Sequence, residues 1–104
     1  MADASNSPVL DLLQSMTADS LEATTLDDRT LMHVRIAALV AVDAPPASYL
    51  LNLGAASDVG IDVDEVRGIL TGIAPIVGSA RVVAATGNIV KALGFALEVA
   101  DAAQ

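Results

Sequence analysis

Apolar residues recur along this chain at helical spacing, and no stretch alternates as a half-buried strand would. Ser7 followed by Pro8 is a helix-start signal, a capping hydroxyl and then a proline where no N–H is needed. Val9, Leu12, Leu13 and Met16 share one face behind it, which predicts a short helix over 8–16. Residues 17–25 are polar, with Leu21 as their one large apolar side chain, and read as a loop with at most a short turn. Thr25 then caps a second helix, with Asp27 and Asp28 placed to suit the positive helix N-terminus. From Leu31 to Val42 only His33 and Arg35 are polar, so burial on most sides is expected. Asp43-Ala-Pro-Pro46 stops that helix, because a residue before proline avoids helical geometry.

Pro45 or Pro46 starts a third helix, which Gly60 ends as a left-handed cap. Pro45, Ser48 and Asn52 fall on one face of it, and Leu50, Leu53 and Gly54 on the other side. Asp62-Val-Asp-Glu65 has the spacing of a capping box and opens a fourth helix to about residue 77. Val66, Ile69, Leu70, Ile73, Ile76 and Val77 form its apolar arc, with Arg67 and Thr71 outside it. Pro75 weakens the last turn and Gly78 terminates it. Ser79 is expected to cap a fifth helix over about 80–101. Val82, Ile89, Val90, Leu93 and Leu97 are its expected core face, and Arg81, Asn88, Lys91 and Glu98 its polar side. Phe95 falls near the polar side, either as a partly covered surface residue or as a subunit contact. Gly87 and Gly94 are expected to allow close helix packing, at a helix-propensity cost of about 1 kcal/mol each.

The predicted fold class is therefore all-α, a compact bundle of about five helices in one domain over 7–104, behind a disordered N-terminus at 1–6. Short connectors favour antiparallel hairpins between neighbouring helices.

Composition adds an expectation of assembly. Apolar residues make up 54% of the 104 but aromatics only 2%. That is more apolar surface than one small core hides, so a homo-oligomer is expected. The net charge of −8 comes with five scattered basic residues, which leaves nucleic acid without a basic footprint. The apolar runs are too short to span a bilayer. The polar, acidic start is unlike a signal peptide, so a cytoplasmic location is expected. There are no cysteines, which removes disulfides, thiolate metal sites and thiol redox catalysis.

Candidate chemistry is sparse. The single histidine rules out a multi-histidine metal site within one subunit, and the acidic run at Asp62–Glu65 is explained by capping, so no metal or cofactor is expected. His33 in an apolar helix reads as a hydrogen-bonded core or interface residue. A role as general base would require an orienting partner that sequence does not place. No Gly-x-Ser-x-Gly elbow is present.

From Asp27 to Leu93 the chain resembles the carboxymuconolactone decarboxylase family, which includes the alkylhydroperoxidase D-like proteins. The resemblance lies in the order of elements: a buried helix over Arg29–Val42, a motif helix ending small-x-Gly, and Ile61-Asp-Val-Asp-Glu-Val-Arg-Gly-Ile-Leu70. That run is similar to the family's Leu-Ser-x-Glu-Glu-Ile-x-x-x-Leu. It continues into Ala74-Pro-Ile-Val-Gly78 and Ala80, similar to Ala-x-x-x-Gly-x-x-x-Ala. The resemblance implies an all-helical trimer or hexamer. The family's redox branch carries Glu-x-x-Cys-x-x-Cys-x-x-x-His, and counting back from Gly60 those positions are Val42, Pro45, Ser48 and Asn52. All four differ, so peroxide reduction by a disulfide cycle is not expected. The decarboxylase branch has histidine where this chain has Asn52, and asparagine does not transfer protons near neutral pH. Glu65 matches a family glutamate. Two readings follow from the resemblance. One is a non-catalytic or small-molecule-binding oligomer. The other is a cofactor-free decarboxylase or lactone-acting enzyme, with Tyr49, Asn52 and His33 holding a small carboxylate or lactone.

Overall fold

The computed structural model describes residues 7–102, and the side chains through Leu93. Residues 1–6 and 103–104, the surroundings of Gly94, and the side chains of Phe95, Leu97 and Glu98 lie outside the described part, and with them the expectations placed there. The described residues form five helices and no strand: α1 (Pro8–Ala23), α2 (Asp28–Ala41), α3 (Pro46–Asp58), α4 (Val63–Val77) and α5 (Ser79–Ala102).

Local signals place most of the helix ends. The Ser7 hydroxyl accepts the Leu10 N–H, with Pro8 at the first helical position. The Asp62 carboxylate accepts the Glu65 N–H at 2.8 Å. Gly60 and Gly78 take positive φ, +86° and +89°, where a Cβ would be strained. α4 runs through Pro75 to Val77 before Gly78 ends it.

Three boundaries depart from expectation. α1 continues through 17–23, because nothing there breaks a helix, and the Thr17 hydroxyl is satisfied by the Leu13 carbonyl at 3.0 Å. α2 is capped by Asp27, whose carboxylate accepts the Thr30 N–H at 2.8 Å, while Thr24 shapes the preceding turn by accepting from Leu26. Those bonds to Thr30 hold the Asp27 carboxyl below its ordinary value. Ser79 is the first residue of α5 and not its cap.

α2 and α5 pack together, and α3 and α4 each pack against both. α3 and α4 do not pack along each other, so the hairpin rule holds for α2/α3 and α4/α5 but fails between α3 and α4. It fails at α1 as well, which among the described residues packs against none of the other helices. The core has two centres. Val40, Ala44, Tyr49, Ala85, Ile89 and Ala92 make one. Leu31, Met32, Ile36, Ala56 and Ile61 make the other. Leu53 and Val66 touch both centres and join them.

Core faces are narrower than the pattern implies. α2 buries Leu31, Met32, Ile36 and Val40, and leaves Val34 and Ala38 exposed, so it is a one-sided helix. Ile76 is 86% exposed and is no core residue. On α5 the buried positions are Ala85, Ile89 and Ala92, while Val90 and Leu93 face outward. Small side chains at Ala85 and Ala92 let α3 and α2 approach closely, which moves the core stripe off the larger residues. Gly87 plays no such role, because a Cβ there would meet nothing within 4 Å.

Candidate functional site

The candidate residues make contacts in two places: the motif positions and Tyr49 at α3, and His33 with Glu65 between α2 and α4. The family-motif positions run from the end of α2 into α3. Val42 is the residue after α2 and is 70% exposed. Pro45 is the residue before α3 and gives no side-chain cap. Ser48 and Asn52 lie half-buried on α3. The Asn52 amide donates to the Ser48 backbone carbonyl at 2.9 Å, within its own helix. Tyr49, between them, is fully buried in the first core centre. Its hydroxyl has no hydrogen-bond partner among the described residues, an uncommon state for a buried phenol. Burial, with the Asp43 carboxylate adding to it, pushes the phenol above its ordinary value, so it stays neutral.

Two apolar cavities flank this helix. One, of about 290 Å³, lies between α3 and α5 and is lined by Pro46, Ala47, Leu50, Lys91 and Ala92. The other, of about 170 Å³, is lined by residues including Leu53, Ile61, Val66 and Ile89. Neither is lined by Ser48, Tyr49, Asn52 or His33.

The second group joins α2 to α4. Arg29 and His33 are one turn apart on α2, so both project from the same side of the helix. Both reach Glu65 in the first turn of α4. Arg29 Nη2 lies 2.6 Å from each carboxylate oxygen, and its Nη1 donates to the Val59 carbonyl at 2.9 Å. His33 Nε2 lies 2.9 Å from Glu65 Oε2. The Arg29 guanidinium first, and His33 after it, hold the Glu65 carboxyl below its ordinary value. An ionised carboxylate accepts only, so Nε2 is the nitrogen that carries the proton. Nδ1 has no hydrogen-bond partner among the described residues.

The capping-box reading of Glu65 is thus half right. Asp62 does cap α4, but the Glu65 side chain turns to α2 instead of back to Asp62. Asp64 pairs with Arg67 at 3.1 Å on an exposed surface. Among the described residues no three acidic or histidine side chains gather as metal ligands.

Chemically, the α2–α4 cluster has the form of a carboxylate-oriented imidazole with one ring nitrogen left unpartnered. That is the arrangement a general base uses. Arg29 takes both oxygens of the same carboxylate, which makes the cluster equally a brace. Sequence reading missed Arg29, although its i, i+4 spacing to His33 was a usable signal. It also placed Asn88 merely on a polar side. The Asn88 amide donates to the Ala44 carbonyl at 3.2 Å and ties α5 to the α2–α3 connection. Arg81 stands 3.8 Å from Asp43 at the same corner.

No family model, curated protein or solved structure matches the chain. Among the described residues no helix is long and apolar enough to cross a membrane.

Proposed function

We propose that this protein is a carboxymuconolactone decarboxylase-like oligomer, a trimer or hexamer, that binds a small carboxylate or lactone or serves as a scaffold without turning anything over. The observation that carries this reading is the state of α3. Asn52 donates to the Ser48 carbonyl of its own helix and Tyr49 is sealed in the core, so the motif helix turns its one aromatic side chain away from any ligand and has an amide where the decarboxylase branch has a histidine. The absence of cysteine removes thiol peroxidase chemistry. The cavity lined by Leu53, Ile61, Val66 and Ile89 is apolar, which suits the apolar part of such a ligand. A cytoplasmic location belongs to the same proposal.

Light scattering on the full chain tests the assembly, and a monomer would end that part of the reading. Incubation with lactones and β-keto acids, followed by product analysis and thermal shift, tests the rest. A thermal shift without product is the expected result for a binder, and no shift without product that for a scaffold.

A second reading is favoured by one contact, His33 Nε2 to Glu65 Oε2 at 2.9 Å. In that reading the protein is a cofactor-free decarboxylase or lactone-acting enzyme, and His33 takes a proton from substrate through Nδ1. Turnover abolished by His33→Gln, with the fold intact by circular dichroism, would establish it over the first.

A further inference from the structure

Among the described residues α1 packs against no other helix. Val9, Leu12, Leu13 and Met16 form a stripe along it and are 65%, 60%, 51% and 56% exposed. Among the described residues one side-chain hydrogen bond, from Arg35 Nη2 to Ser20 Oγ at 3.1 Å, joins the helix to the body. A helix of 16 residues is marginal in water without packing on its apolar face. The chain exposes 7002 Å². A compact monomer of 10.5 kDa exposes ~5,400 Å². The exposed stripe of α1 accounts for part of that difference.

Charge selects among the surfaces that could take this stripe. α1 carries Asp11, Asp19 and Glu22 and no basic residue. Two α1 helices side by side would bring carboxylates together with no cation between them. An anionic lipid surface would repel the helix. The cavity between α3 and α5 combines an apolar lining of Pro46, Ala47, Leu50 and Ala92 with Lys91, the single lysine of the chain.

We propose that α1 is an exchanged arm, whose Val9–Leu12–Leu13–Met16 face seats in the α3–α5 groove of a second copy. Lys91 of that copy meets the acidic side of the helix, where Asp19 borders the stripe. The inference deepens the oligomeric part of the function proposed above and rests on it. Helix-in-groove docking of this kind uses i, i+3, i+4, i+7 anchors, which is the spacing of these four residues.

The absence of cysteine makes the test clean. Met16→Cys and Ala47→Cys are each made in the full chain, at exposed positions that leave the core untouched, and mixed under mild oxidation. The expected product is a covalent dimer containing one of each variant. Dimers of Met16→Cys with itself, formed in preference, would show α1–α1 pairing and overturn the proposal. In a chain carrying both substitutions, a disulfide within one subunit would show α1 folded onto its own body and overturn it as well. An oligomer by light scattering that gives no cross-link overturns the arm and leaves the oligomeric reading standing. A monomer overturns both. Lys91→Glu should weaken association about fivefold, and adding Asp19→Lys should restore it. Association unchanged by Lys91→Glu would overturn the groove assignment.

Discussion

Arg29 of α2 closes on Glu65 of α4 across 36 positions of chain, with one guanidinium nitrogen 2.6 Å from both carboxylate oxygens. The same guanidinium holds the Val59 carbonyl just ahead of Gly60, so one side chain fastens the α3–α4 connector and the start of α4 to α2.

Glu65→Gln is expected to lower the melting temperature at neutral pH and to flatten the acid limb of stability. Glu65 is held below its ordinary value of 4.5, so its contribution is present above that value and is lost as pH falls through the depressed one. Urea unfolding from pH 7 downward checks this. The gap between wild type and variant should narrow below pH about 4.5, and a gap independent of pH would refute the ionic origin.

Tyr49→Phe should stabilise the fold by about 1 kcal/mol, because it removes a buried hydroxyl that has no partner and keeps the ring. The phenol is raised above its ordinary value of 10.0, so its stabilising neutral form is lost as pH rises beyond it. Wild type should therefore weaken in alkali more steeply than the phenylalanine variant. Chemical denaturation at neutral and alkaline pH reads both effects.

Ile36→Ala should cost about 2–5 kcal/mol. Ile36 is 0% exposed in the second core centre. A loss under about 1 kcal/mol in a urea titration would show a site that collapses freely.

The glycines should separate by sign. Gly78→Ala places a Cβ at φ +89° and ψ 158°, a region held almost only by glycine, at a cost of order 1–3 kcal/mol. Gly72→Ala and Gly87→Ala sit in helices with nothing within 4 Å of the new methyl, and each should stabilise by about 1 kcal/mol. Thermal melts of the three variants decide it. Gly87→Ala destabilising the assembled protein would mean that a neighbouring subunit covers that face.

Several helix ends were legible because a cap is a contract between residues three or four apart, although the starts of α2 and α5 each fell a residue or two from the expected cap. Ser7, Asp62, Gly60 and Gly78 act within their own turns, and no distant contact is needed to settle them. The second face of each helix was not legible to the same degree. Periodicity marks Val90 and Leu93 as readily as Ala85 and Ala92, and only the closeness of α3 and α2 makes the small residues the buried ones. The extension of α1 was hidden because polar composition resembles a loop even where no residue breaks a helix.

The candidate site divides in the same way. Tyr49, Asn52 and His33 stood out by type and position in the chain. That Tyr49 would be sealed without a partner, that Asn52 would bond within its own helix, and that Arg29 and His33 would meet Glu65 depended on how α2, α3 and α4 cross. Hydrogen bonds and ion pairs between helices require a meeting of side chains far apart in sequence, and that meeting is set by packing of the whole body. One-dimensional spacing determines which residues share a side of a helix. Which helix, groove or second copy that side meets is a property of three dimensions.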